Sequence, residues 1–227
     1  MLDGNTDRLQ ELDALRGIAA TAVMLFHYTI QYHELFDQPH STWSFSPGRY
    51  GVQLFFVISG FVIFLSLSRG TSLWDFAANR IIRIYPAYWV CLSITFAAMV
   101  ANPLPEMNVS LMDAALNASM LNYWLLVPYV DGAYWTLTVE LTFYASMGAM
   151  HLFGWLQKAE RWISIWLSLI LITSWGDLHG YHIPTVIRTT VLLDHGHFFF
   201  AGILFYRMKS SGFTALRWLL LAVCKDC

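Results

Sequence analysis

The sequence predicts an all-α protein, a polytopic transmembrane helical bundle of about six to seven spans, and three observations lead there. Of 227 residues, 57% are hydrophobic and 12% are charged, about half the ~25% charged fraction of an ordinary soluble domain. Apolar runs long enough to cross a bilayer, roughly 17 to 25 residues at helical rise, recur along the whole chain. The basic residues, finally, fall unevenly between the loops that join those runs.

The chain opens on MLDGNTDRLQELDALRG, an acidic start without the basic n-region or small-residue cleavage site of a signal peptide. The run over 15–32 is therefore read as a retained first helix. Spans two and three are expected over 51–68 and 84–101. YGVQLFFVISGFVIFLSLSRG reads as a packing helix in which Ser59 and Gly60 let a neighbour approach, with no chemistry assigned to it. Pro86 suits the first turn of the third span. The connection over 102–132 carries three prolines and an amphipathic middle, the pattern of an interfacial helix plus loop. A fourth and a fifth span follow over 133–153 and 162–177, with weaker ones near 196–207 and 214–224. Without a fixed-period repeat or low-complexity tract, residues 1–227 read as one domain.

Lys and Arg in short loops set orientation. With the N-terminus cytoplasmic, one side collects ten basic residues, while the other keeps only Arg49, Arg188 and Lys225. The lipid bilayer is the expected environment, with 33–50 and 102–132 on its outer face. A net charge of -2 and scattered basic residues argue against nucleic acid as a partner. Cys91 lies inside an apolar run, and the closing CKDC supplies only two of the four ligands a structural zinc takes. Neither a disulfide framework nor a metal is expected.

The candidate chemistry lies in ionisable groups inside apolar runs, which are costly there. The eleven-residue step from Arg16 to His27 is about three helical turns, so both project from one face about 16 Å apart. Glu140 falls about 10 Å, and His27 about 13 Å, below the outer boundary if the fourth span enters near Ala133 and the core is about 30 Å thick. A carboxylate beside an imidazole fixes its tautomer and raises its basicity, as a general base requires. Arg80 and Arg83, one turn apart at the expected start of the third span, share the level of Arg16 and suit bidentate phosphate binding. His195 and His197 flank the sixth run and are further candidates for substrate contact. His33, His40, His179 and His182 are expected in solvated outer loops. Buried His, Glu and Arg also suit a transporter or permease in which His27 and Glu140 couple protons, so that alternative stands beside catalysis.

LDALRGIAATAVMLFHY, YGVQLFFVISGFVI, NRIIRIYPAYW and YWTLTVELTFYA stand in the order and spacing of the membrane-bound acyltransferase 3 family, which the first 145 residues or so resemble. The resemblance implies transfer of an acyl group, commonly acetyl from acetyl-CoA, to a hydroxyl of a carbohydrate or glycolipid, with no permanently bound cofactor. Arg16 and His27 match the family's essential pair and Glu140 its motif glutamate, though Leu141 stands where an acidic or polar residue is common. Arg16, Arg80, Arg83 and Tyr85 are the expected contacts to acyl-CoA, and Trp135 and Tyr134 the expected contacts to the acceptor. The family further implies a bacterial inner membrane location and about ten helices, so the chain is expected to be C-terminally truncated.

Overall fold

α1 covers Gln10–Phe26 and passes directly into a π turn over His27–Gln31. Such turns insert an extra residue into the helical ladder and often occur at functional sites. The computed structural model describes residues 10–31, 43–102 and 109–226, so Arg8, His33, His40 and Cys227 lie outside the described residues. A 3-10 turn over Ser46–Tyr50 leads into α2, Gly51–Ser68. The turn packs on α1 so closely that a Cβ on Gly48 would stand 2.1 Å from the Ala22 carbonyl oxygen.

α3 covers Leu73–Ala101 and corrects the expected start of the third span by about three turns. Ser72 caps it by accepting the Asp75 N–H at 3.1 Å, so the helix begins at a polar cap well ahead of the apolar run. Pro86 consequently sits inside the helix and not in its first turn; it forgoes one intrahelical hydrogen bond there. Arg80 and Arg83 lie in the third turn of this longer helix. Among its described residues the connection after it holds a short helix, α4 over Leu111–Asn117, closed at its start by a reciprocal Ser110–Asp113 capping box. Its end is capped from α3: Tyr88, Trp89 and Tyr85 donate to the carbonyls of Asn117, Ala118 and Ser119 at 2.8, 2.9 and 2.9 Å. These bonds satisfy carbonyls that a helix end leaves orphaned.

α5 (Trp135–Leu152), α6 (Ala159–Leu178), α7 (Thr185–Thr190), α8 (Gly196–Ser211) and α9 (Ala215–Asp226) complete the chain. Every element among the described residues is helical. Two stretches there, Ser46–Ser68 and Leu73–Ala101, are long and apolar enough to cross a membrane, with mean hydropathies of 2.1 and 1.6.

The core sits where α2, α5, α6 and α8 meet, around Phe56, Phe64, Phe143, Phe199 and Ile203. Phe199 stacks on Phe143 at 4.1 Å and on Phe56 at 4.7 Å, each such pair adding ~0.5–1.5 kcal/mol beyond its burial. α2 and α8 touch backbone to backbone. A Cβ on Gly60 would meet the Phe199 carbonyl oxygen at 2.1 Å, and one on Gly202 the Val57 oxygen at 2.0 Å, so only glycine fits at either crossing point. Close by, Arg188 of α7 joins Asp177 at 2.5 Å to Asp194 at 2.6 Å, fixing the segment that leads to His195.

Candidate active site

α1, α2, α3 and α5 enclose a cavity of about 610 Å³, within the ~300–1,000 Å³ range of small-molecule sites. Arg16, His27, Arg83, Trp135 and Glu140 all line it. The 3.6-residue period of α1 brings Arg16 onto its wall and the π turn that follows brings His27, and α5 contributes Trp135, Glu140 and Tyr144 at spacings of five and four. Arg83 and Tyr144 form one end together with Arg16. The other end carries Gln31, Arg49, Gly132 and Ala133.

Glu140 is held by two neutral donors. The Ser59 hydroxyl donates to its Oε1 at 3.0 Å, and the Tyr144 phenol donates to the same oxygen. Ser59 is 6% exposed, so its hydroxyl has little water to turn to, and hydrogen bonds to a carboxylate are worth ~1.5–3 kcal/mol. Ser59 is therefore more than a packing residue. No hydrogen bond joins Glu140 to His27 among the described residues, although both face the same cavity. His27 lies edge-on to Phe26 with ring centres 5.9 Å apart.

The remaining candidates divide. Trp135 packs against His195 at 4.9 Å and Phe56 at 6.2 Å, and His195 itself lines the cavity. His197 is buried away from it, its ring against Phe198 at 3.9 Å. Arg80 lies outside the lining, its guanidinium over the rings of Phe76 at 5.6 Å and Tyr144 at 5.9 Å. Tyr85 gives its hydroxyl to Ser119, and Tyr134 pairs with Thr95 at 3.3 Å. His179 and His182 are exposed. Sequence reasoning missed Ser59, Tyr144, Arg49 and Gln53 as site residues. Tyr144 alone carried a signal, one turn after Glu140 on the same helix face.

The chain is 32% identical over 187 residues to Nodulation protein 10 of Rhizobium leguminosarum bv. viciae, a match covering 73% of this chain and 49% of that protein. It is 28% identical to the O-acetyl transferase of Shigella phage Sf6, covering 73% of this chain and 52% of the relative. Exopolysaccharide production protein ExoZ of Rhizobium meliloti is 34% identical over 44% of this chain and 33% of its own length. The chain thus spans about half, or less, of the length of these curated relatives. No solved structure matches it. The family profile described as an acyltransferase domain matches residues 9–224, and with the motif residues drawn to one cavity, the chain belongs to the acyltransferase 3 family.

Proposed function

We propose that this chain is the catalytic part of an integral membrane acyltransferase, moving an acyl group, acetyl by preference, from acyl-CoA to a hydroxyl of a carbohydrate or glycolipid. One observation carries the reading: a single cavity has two arginines at one end, His27 and Glu140 along its wall, and polar and aromatic groups at the other. Guanidiniums suit the diphosphate of CoA. The narrow thioester arm then extends past Tyr144 toward His27, and the acceptor enters from the Arg49 end. With the N-terminus cytoplasmic in a bacterial inner membrane, the donor end faces the cytoplasm.

In the reaction, a His27 ring nitrogen takes the proton of the acceptor hydroxyl as its oxygen attacks the thioester carbonyl. The C–S bond breaks, and the CoA thiolate leaves and is protonated. Glu140 stabilises the imidazolium that forms, closing on it through movement of the π turn, since apo geometry often tightens only with substrate bound. In the relay variant the His27 nitrogen attacks the thioester carbonyl, the C–S bond breaks and the CoA thiolate leaves, and the acceptor oxygen then takes the acyl group from the ring while the hydroxyl proton ends on the thiolate.

Full-length protein given acetyl-labelled acetyl-CoA and an oligosaccharide acceptor tests the reading. Wild type transfers label, and His27→Ala loses transfer by ~10²-fold or more, the usual worth of a general base. Absence of transfer by intact wild type, or full activity in His27→Ala, overturns the proposal. Label trapped on protein under rapid acid-free quench without acceptor selects the relay.

A further inference from the structure

We infer that the Arg49 end of the cavity is a subsite for an oxyanion on the acceptor, a sugar carboxylate or a carrier phosphate, with Arg49 as its counter-ion. The inference rests on the acyl-transfer reading above and deepens it. Its starting point is the charge on the cavity wall, where Arg16, Arg49 and Arg83 face one carboxylate, Glu140. Such an excess of one sign in a cleft raises the local concentration of anions. Arg16 and Arg83 lie at the Tyr144 end, where the phosphates of the donor account for them.

Arg49 is elsewhere. It belongs to the 3-10 turn over Ser46–Tyr50, whose Gly48 abuts Ala22 and Phe26 of α1. That contact places the turn along the Ala22–Phe26 stretch of α1, and Arg16 is about 9 to 15 Å back along the same helix. One phosphate gripped bidentately by Arg16 sits at least about two turns of helix from the turn that carries Arg49, which leaves Arg49 for a second anion.

Among the described residues the guanidinium also keeps donors to spare. Its Nη2 donates to the Tyr50 hydroxyl at 3.1 Å, and it lies over the Tyr50 ring at 5.0 Å. No carboxylate pairs with it among the described residues. A guanidinium has five N–H donors in a planar fork, so a bidentate edge remains for a carboxylate or phosphate. The cavity also has groups that suit a sugar: Trp135 and His195, packed against each other at 4.9 Å, give it an aromatic patch, and Gln31 and Gln53 offer amides to hydroxyl groups. An anionic sugar ring, or a neutral one linked to a phosphate, uses all of these groups together and sets its hydroxyl toward His27.

The test uses full-length protein in nanodiscs, both faces open, with saturating labelled acetyl-CoA and three acceptors. These are an oligosaccharide ending in glucuronate, its glucose-ending counterpart, and the glucose form on a polyprenyl diphosphate. The expected result is a KM at least tenfold lower for a charged acceptor than for the neutral one. Arg49→Gln removes that preference, Arg49→Lys restores part of it, and raised salt weakens it in wild type. Preference for glucuronate alone identifies the carboxylate as the oxyanion, and preference for the polyprenyl form alone identifies the phosphate. Equal KM values for charged and neutral acceptors, or a preference that survives Arg49→Gln, overturn the inference and leave acyl transfer standing. Failure of wild type to acetylate any of the three overturns the acyl-transfer reading itself.

Discussion

The helix that leads into His27 and the helix whose Ser59 holds Glu140 are built differently. α2 buries Phe56, Ile58, Ser59, Gly60, Ile63, Phe64 and Leu67, and it meets α8 with backbones in contact at Gly60 and Gly202. α1 buries one residue, Ala19, and its far end is a π turn held to the next segment by Thr29. That hydroxyl donates to the Leu25 carbonyl at 2.7 Å and accepts the Phe45 N–H at 3.0 Å. Glu140 is thus fixed through Ser59 to the packed half of the molecule, while His27 follows a helix held closely on one side only, at Gly48 and Gly51, and otherwise mostly exposed. Dense packing leaves few alternative positions, whereas weakly packed segments are where local motion concentrates. In the proposed reaction this difference would separate the two groups by role, the carboxylate as a fixed reference and the imidazole as the group that moves between donor and acceptor.

Breaking the packed half gives the largest expected effect. Gly202→Val puts side-chain atoms where 2.0 Å separates a Cβ from the Val57 oxygen, and because the obstacle is backbone, the helices must part. Overpacking costs ~1–3 kcal/mol or more, equivalent to a melting temperature lower by about 2 to 12 °C for a chain of this size. Gly17 of α1 has nothing near its would-be Cβ, so Gly17→Ala melts at or above wild type, glycine being ~1 kcal/mol worse than alanine in a helix. Scanning both variants in the same detergent checks the contrast. Equal melting of the two would erase the distinction between the halves.

Next comes the link from the packed half to the site. Ser59→Ala removes a hydrogen bond to a carboxylate worth ~1.5–3 kcal/mol, and the expected loss of kcat is about 10- to 100-fold. A purely structural serine would shift melting and leave kcat alone. The discriminating measurement is a double-mutant cycle: in a Glu140→Gln background, Ser59→Ala has little further effect on kcat if Ser59 acts through Glu140.

These residues also mark how far the sequence alone carried. The helical period was enough to bring Arg16 and His27 to one cavity, and the depth of Glu140 in its run was enough to bring it to the same one, because both signals are local to a single helix. The bounds of α2 and the start of α8 were legible from apolar run length. The start of α3 was not, since the apolar window centres past Pro86 while the helix starts at the Ser72 cap. Ser59 reads as a small residue in a packing helix, and its bond spans 81 positions of chain. Tyr85 and Tyr134 sit within motifs that suggested substrate contact, yet their hydroxyls serve Ser119 and Thr95. Those pairings arise from how α3 lies beside its neighbours, which no periodicity within one segment encodes. The π turn is likewise invisible, and its Thr29 hydroxyl meets the Phe45 N–H sixteen positions away.

A smaller effect follows from loosening the movable half. Thr29→Val keeps the shape but leaves the Phe45 N–H without its acceptor. A neutral hydrogen bond is worth ~1 kcal/mol net, so transfer falls about fivefold, with Thr29→Ser close to wild type. Hydrogen exchange at 27–31 rises in the valine variant and not in the serine one. Unchanged exchange together with unchanged transfer would show that the turn is held by something other than Thr29.

The smallest effect lies at the far end of the packed half, where α9 is fastened to α6 and α8. Glu160 precedes the apolar part of α6 and accepts from Arg207 Nε at 3.1 Å and Arg217 Nε at 2.7 Å. Burial pushes its carboxyl up, but the hydrogen bonds from Arg217 and Arg207 outweigh that and hold it below the ordinary carboxylate range. A group whose folded pKa is depressed stabilises the fold fully above its unfolded pKa, about 4.3 for glutamate, and loses that contribution as pH falls through the folded value. Wild type therefore shows an acid-side loss of melting temperature below that point. Arg217→Met weakens the pull on Glu160 and makes the loss shallower, at the cost of lower stability near neutrality. The slope of transfer rate with pH at the site stays the same in both proteins, because the packed core lies between this charge cluster and His27. A change in that slope with Arg217→Met would mean that the two halves are coupled more tightly than their packing implies.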